Sequence, residues 1–197
     1  MDLFEKQKKS AKTQPLAVRM RPKTLSEFVG QEHIIREGKL LKRAIEADRI
    51  CSVIFYGPPG SGKTALGYLI CDITKSYFQR LNATASNVQE IRTALDKSKS
   101  RFALDGKRTI LFIDEIHRFN KAQQDVLMPD VETGNPILIG TTTHNPFFSV
   151  NTPLLSRSQI LEFKPLTEDN IITILNMAVQ DKERGFGKLK LNLEKPG

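Results

Sequence analysis

Cysteine, histidine and long apolar runs are scarce in this chain, and each shortage closes off a class of function. Only Cys51 and Cys71 occur among the 197 residues. They form no C-x-x-C pair, which excludes a disulfide framework and a thiol-pair redox site, and reduced thiols in a cytoplasmic protein are expected. The three histidines lie scattered without metal-ligand spacing, so no zinc site is expected. No apolar stretch is long enough to span a bilayer and no signal peptide opens the chain, so no membrane partner is expected.

What remains is a chain able to build a core. Hydrophobic residues make up 39% of it, and its length suits one domain, or one domain plus part of another. The net charge of +8 favours an anionic partner such as DNA, although a basic balance alone decides little. Met1 to Thr13 is polar and Lys-rich, so residues 1–14 are expected to be a flexible basic N-terminus.

The most informative string is Gly57-Pro58-Pro59-Gly60-Ser61-Gly62-Lys63-Thr64, which follows the apolar run 52–56. It fits the spacing G-x-x-x-x-G-K-[ST] of a phosphate-binding loop. Gly60 and Gly62 let the backbone curl so that its N–H groups face phosphate oxygens, and the helix opening near Gly62 adds its positive end. Lys63 has the reach for β- and γ-phosphates, and the Thr64 hydroxyl is a Mg2+ ligand. Ala65, Leu66, Leu69 and Ile70 supply the apolar helix the motif requires after it.

From residue 52 strands and helices alternate. Strands are expected at 52–56, 77–81, 109–113, 136–141 and 159–163, and helices at 38–48, 62–74, 87–98, 121–130 and 168–180. Ser86 with Gln89 three residues on reads as a capping box, and Thr167 as an N-cap with Glu168 and Asp169 in the first turn. Near-continuous apolar runs such as Ile110-Leu111-Phe112-Ile113 mark strands buried on both faces, hence a parallel sheet covered by helices. The fold class expected is α/β, a three-layer P-loop domain with a five-stranded parallel sheet.

Three further strings complement the phosphate loop. Ile110 to Ile113 runs into Asp114 and Glu115; after a phosphate loop, Asp114 is a candidate to hold Mg2+ with Thr64, and Glu115 to polarise the attacking water. Ile137 to Ile139 runs through Gly140 into Thr141, Thr142 and Thr143, hydroxyls able to orient water or sense a phosphate. Arg157 lies on a short helix before the last strand and gains a role only if a neighbouring subunit brings a nucleotide to it.

In this order and spacing the strings resemble the AAA+ ATPases, and among them the replication-associated recombination protein A family with its Werner helicase-interacting relatives. The resemblance covers about residues 14–190. It rests on Pro15-Leu16-Ala17-Val18-Arg19-Met20-Arg21-Pro22, Val29-Gly30-Gln31, Gly57 to Thr64, Asp114-Glu115-Ile116-His117-Arg118-Phe119-Asn120-Lys121-Ala122-Gln123-Gln124-Asp125, and Leu155-Ser156-Arg157. Leu81-Asn82-Ala83-Thr84 looks like a stretch of clamp-loader subunits. The resemblance implies an ATPase acting at stalled replication forks, with ATP or ADP and Mg2+ as ligands. It also implies DNA and single-strand-binding protein as partners, a homo-oligomer (tetramer or ring), and a cytoplasmic or nucleoid location. Thr143 would be sensor 1, with Thr142 close behind and Thr141 where the family usually has Ala. Arg157 would be an arginine finger, and Asn82 a weaker candidate for restraining Glu115. Met20, Pro22, Val29 and Gly30 would line the adenine pocket.

The domain organisation implied is an ATPase domain over 15–164 and the first helix of a truncated helical lid over 165–197, which makes the chain a fragment. A RuvB-like branch-migration motor, a clamp-loader subunit and a nucleotide-binding structural module without turnover stay open as alternatives. Met1-Asp2-Leu3-Phe4 faintly resembles a sliding-clamp-binding peptide without its leading Gln.

Overall fold

A computed structural model of the chain describes residues 14–189 and 191, so the flexible tail and clamp-peptide expectations at the N-terminus lie outside the described residues. In chain order the helices and strands are α1 (Leu16–Arg19), α2 (Glu32–Ile35), α3 (Leu40–Glu46), β1 (Val53–Tyr56), α4 (Lys63–Thr74), β2 (Tyr77–Asn82), α5 (Val88–Asp105) and β3 (Thr109–Asp114). They continue as α6 (Lys121–Thr133), β4 (Ile137–Thr142), α7 (Pro146–Ser149), α8 (Thr152–Ser156), β5 (Gln159–Glu162) and α9 (Glu168–Gln180). By contact the described residues divide into two compact units, residues 31–165 and, separately, residues 14–30 together with 166–189 and 191.

The larger unit is the α/β layer. Its five strands are all parallel, in the order β2-β3-β4-β1-β5. The continuous apolar runs explain the arrangement, since β3 and β4 are buried almost throughout and must be covered on both faces. Ile54, Leu111, Ile113 and Leu138 pack with Ile91, Leu95 and Leu127 of α5 and α6. Phe112 belongs to the other side, where a Cβ on Gly67 of α4 would come within 2.5 Å of its ring. Because β1 sits between β4 and β5, the loop after it emerges at the carboxyl edge where the order of strands reverses, the usual place for a ligand in such sheets.

Local details differ from the sequence expectations. α5 runs to Asp105 instead of 98, stopped by Gly106 at φ 70°. Its capping box is Asn87 with Glu90, one residue later than the Ser86 and Gln89 pair. Both strings fit the pattern, but the Ser86 carbonyl is taken by the Gln123 side chain of α6, 2.7 Å away, and the Asn87 amide is free to cap. α6 continues past Pro129 to Thr133 and opens with a second capping box, Asn120 with Gln123. The helix expected over 38–48 spans only Leu40–Glu46.

In the smaller unit, Thr167 caps α9 and forms a reciprocal box with Asn170, with Glu168 and Asp169 in the first turn. Arg184 pairs with Asp181 at 2.7 Å and with Glu27 at 2.9 Å, which ties the unit's two chain segments together. Gly30, at φ 80°, has no room for a side chain, because a Cβ would meet Leu166 at 2.8 Å. No helix among the described residues is long and apolar enough to cross a membrane.

Candidate functional site

The loop from Gly57 to Gly62 turns on residues that need an unusual backbone. Gly60 and Gly62 have φ values of 73° and 97°, where a side chain strains the chain. Gly57 is excluded from change for a second reason, since a Cβ there would lie 2.2 Å from the Phe163 carbonyl oxygen. Ser61 donates to the Pro58 carbonyl at 2.8 Å and closes the turn. Behind the loop, buried Gln31 donates to the Ser61 carbonyl at 3.2 Å and to the Lys164 carbonyl at 2.7 Å, and accepts from the Lys164 N–H at 2.9 Å. Gln31 therefore fixes the loop to the end of β5. In the sequence Gln31 stands out only as part of Val29-Gly30-Gln31; its left-handed backbone, at φ 62°, is visible only in the fold.

A cavity of about 420 Å3 opens at this edge of the sheet. Pro59, Gly60, Ser61, Gly62, Lys63, Thr64, Ala65, Asp114, Glu115 and Thr143 line it. Strands β1, β3 and β4 thus bring together three strings far apart in sequence. Lys63 begins α4 and is buried; its ammonium donates to the Gly57 and Pro58 carbonyls, both at 2.7 Å. Burial lowers its pKa, and the nearby Glu115 and Asp114 carboxylates oppose that shift.

Asp114 ends β3 with both carboxylate oxygens engaged. Thr141 of β4 donates to one at 2.6 Å, and Arg80 of β2 pairs with the other at 2.9 Å. The Thr141 hydroxyl also accepts the Glu115 N–H at 3.3 Å. Glu115 itself holds a left-handed backbone at φ 56°, ψ 49°, which costs energy for a residue with a side chain. Its acidic oxygen lies 3.3 Å from Nε2 of His117. Asn82 is occupied elsewhere, accepting from the Thr84 N–H and hydroxyl at 3.0 and 2.7 Å.

The threonines separate clearly. Thr141 serves Asp114, Thr142 is fully buried against His117, and exposed Thr143 reaches the cavity. Arg157 follows α8 at the surface, where it pairs with Glu132 at 2.7 Å and does not line this cavity. Met20, Pro22, Val29 and Gly30 belong to the smaller unit.

The residues fit a magnesium nucleotide. Hard oxygen donors at Thr64 and Asp114 suit Mg2+, which keeps most of its own water and takes few protein ligands. The described residues hold no cluster of three or more His, Cys, Asp or Glu side chains able to cage a metal. A glycine cradle at the opening of a twelve-residue helix suits phosphate.

A parallel sheet in this order, a phosphate loop after its β1 and an Asp-Glu pair at the end of β3 together define a P-loop domain of the AAA+ class. The family model for the P-loop domain of the Holliday junction DNA helicase RuvB matches residues 20–160. The replication-associated recombination protein A of Haemophilus influenzae is 48% identical over 91% of this chain and 40% of its own length. The ATPase WRNIP1 of Dictyostelium discoideum is 42% identical over 84% of this chain and 19% of its own length. Among solved structures, the Thermotoga maritima RuvB Holliday junction branch migration motor aligns with a TM-score of 0.67 and 31% identity, covering 82% of this chain and 54% of that one. The chain belongs to the RuvB-type AAA+ P-loop family and, within it, to the replication-associated recombination protein A group. It spans about 40% of the length of the bacterial relatives of that name.

Proposed function

We propose that this chain is the nucleotide-binding core of an ATPase that acts on DNA at stalled or damaged replication forks. The observation that carries the reading is that Lys63, Thr64, Asp114, Glu115 and Thr143 line one cavity together. In this reading the loop N–H groups and Lys63 bind the phosphates, and Thr64 and Asp114 hold Mg2+. The chemistry a bound Mg2+ supplies is neutralisation of phosphate charge at the transferring group. Glu115 accepts a hydrogen bond from the attacking water, aligning it with the γ-phosphorus and receiving its proton as the bond to the leaving ADP oxygen breaks. Thr143 senses or orients the γ-phosphate. Met20, Pro22, Val29 and Gly30 form the adenine pocket, and Arg157 serves the nucleotide of an adjacent subunit.

The names of the relatives support the DNA-directed half of the proposal, since the bacterial ones are replication-associated recombination proteins. The net charge of +8 supports non-sequence-specific contacts to phosphate. We assign residues 15–164 to the ATPase domain and those from 165 onward to the beginning of a helical lid. In its complete form the protein is a cytoplasmic or nucleoid homo-oligomer, tetramer or ring, working beside single-strand-binding protein.

The test is ATP turnover by the assembled protein, with and without single-stranded or forked DNA, for the native sequence and for Glu115→Gln. The expected outcome is DNA-responsive hydrolysis that Glu115→Gln lowers about 10²–10⁴-fold while nucleotide binding persists. Undiminished hydrolysis by Glu115→Gln removes Glu115 from this role. Absence of hydrolysis in the native protein favours a nucleotide-binding structural module.

A further inference from the structure

One buried ring connects the group assigned to the attacking water with the strand that delivers Thr143. His117 lies in the short turn after Glu115, and its side chain is only 8% exposed. Nδ1 of the ring is 2.9 Å from the Thr142 hydroxyl, and Nε2 is 3.3 Å from the Glu115 carboxylate. The Thr142 hydroxyl in turn accepts the His144 N–H at 3.0 Å, and the His144 ring packs on His117 with centroids 4.2 Å apart.

These contacts fix where the protons sit. A bare ring nitrogen facing a carboxylate oxygen at this range is repelled, so Nε2 carries the proton. Burial lowers the His117 pKa, which favours the neutral ring. A neutral ring with its proton on Nε2 has an acceptor at Nδ1. The Thr142 hydroxyl has two acceptors in reach, the His144 carbonyl at 3.3 Å and His117 Nδ1 at 2.9 Å, and donates to the nearer, His117. With that donation the contacts lead from the His144 backbone N–H through Thr142 and His117 to Glu115.

We propose that His117 is a positioning residue that couples the end of β4 to the Glu115 carboxylate, so that the turn carrying Thr143 and the group facing the attacking water move together. Glu115 is 38% exposed and stands on a strained backbone, so its carboxylate has freedom that one buried contact can remove. Thr142 is fully buried at the end of β4, one residue before Thr143, so a displacement of that turn is passed to the ring without slack.

The inference rests on the ATP-hydrolysis reading, and the experiment separates the two. Turnover and nucleotide affinity are measured in the full-length protein for His117→Ala, His117→Gln, Thr142→Val and the double variant His117→Ala with Thr142→Val. His117→Ala is expected to lower kcat about tenfold or more with nucleotide Kd within about twofold, because the ring touches no phosphate-binding group. His117→Gln, whose amide can still donate toward Glu115, is expected to recover most of the loss. Thr142→Val is expected to lower kcat in the native background and to add little to His117→Ala. Retained nucleotide affinity in each variant establishes that it folds.

Turnover of His117→Ala within about twofold of native, or fully additive losses in the double variant, overturns the coupling while leaving the ATPase reading intact. If the native protein does not hydrolyse ATP, that reading falls by itself. The ring is then judged by nitrogen NMR at neutral pH. A neutral His117 protonated on Nε2, with its resonance shifted by Glu115→Gln, supports the coupling. A proton on Nδ1, or a charged ring, overturns it.

Discussion

Arg80 and Asp114 form an ion pair between neighbouring strands, with the guanidinium nitrogen 2.9 Å from the carboxylate oxygen and the two residues two positions off register in the β2-β3 ladder. The pair places a fixed positive charge on the carboxylate assigned to Mg2+. A cation arriving at Asp114 therefore meets a competitor. Arg80→Ala is expected to lower the Mg2+ concentration that half-saturates binding of a fluorescent ADP analogue, by about threefold or more at low ionic strength. The difference should shrink with added salt, because Arg80 is half exposed and its field is screened. An unchanged or raised Mg2+ requirement would show that Arg80 assists the site instead of competing within it.

Gly67 of α4 makes a separate test of the sheet packing. A methyl group there would lie 2.5 and 2.8 Å from two carbons of the buried Phe112 ring. Alanine improves helix propensity by about 1 kcal/mol, but overpacking of a close-packed core costs typically 1–3 kcal/mol. The ring cannot swing away cheaply, since Tyr68 and Phe78 pack against it. Gly67→Ala is thus expected to lower Tm by several degrees in thermal unfolding, and a raised Tm would mean the α4 side of the sheet is looser than described.

Acid sensitivity of the smaller unit has a definite sign. Asp181 accepts from the Arg184 backbone N–H at 2.7 Å, pairs with the Arg184 side chain, and accepts from the Glu183 N–H; these hold its pKa down to about 2. The unfolded chain has the ordinary carboxylate value, so it binds the proton first as pH falls. The stabilisation is complete above about pH 4 to 5 and is lost as pH falls toward 2. Asp181→Asn should remove that dependence, on the order of 1 kcal/mol, from acid unfolding followed by a probe on α9. An identical acid profile in the variant would contradict the assignment.

Arg157 is expected to act away from its own nucleotide. Its bond to Glu132 joins two partly exposed side chains, worth about 0–1 kcal/mol, so it can be released at little cost when a neighbour is present. Arg157→Ala should leave nucleotide binding by the isolated chain unchanged and reduce hydrolysis in assemblies, by as much as about 10³–10⁵-fold if it serves as a finger. Mixing Arg157→Ala with Glu115→Gln subunits should restore part of the activity, because some interfaces then pair an intact Glu115 with an intact Arg157. Zero recovery in mixed assemblies whose composition has been confirmed would assign Arg157 to its own subunit or to structure alone.

The parts of this fold that could be read from the chain are those set by local pattern. Ile110 to Ile113 and Ile137 to Ile139 announced buried parallel strands because no polar residue interrupts them, and Gly57 to Thr64 announced the loop because the turn requires glycines at fixed positions. Local pattern failed where two fits competed. Ser86 and Asn87 both begin a capping box, and the choice belongs to Gln123, thirty-six residues beyond Asn87. The extension of α5 to Asp105 was hidden because its later turns are polar and exposed around Phe102 and Leu104. Gln31, Arg80 and His117 escaped for the same reason. Each acts through a partner on a different strand or loop, and no spacing along the chain encodes Gln31 with Lys164, Arg80 with Asp114, or His117 with Thr142.

The most direct measurement is a titration of this chain with a fluorescent ADP or ATP analogue, with and without Mg2+, for the native sequence and for Lys63→Ala. The ammonium of Lys63 lies within the loop that lines the cavity, and its removal takes away the charge opposite the phosphates without touching the core strands. The expected result is Mg2+-dependent binding by the native chain, weakened at least tenfold in Lys63→Ala while the variant keeps the native unfolding transition. Equal affinity of the two proteins would contradict the assignment of residues 57–64 as the nucleotide site, and with it the central claim about what this domain does.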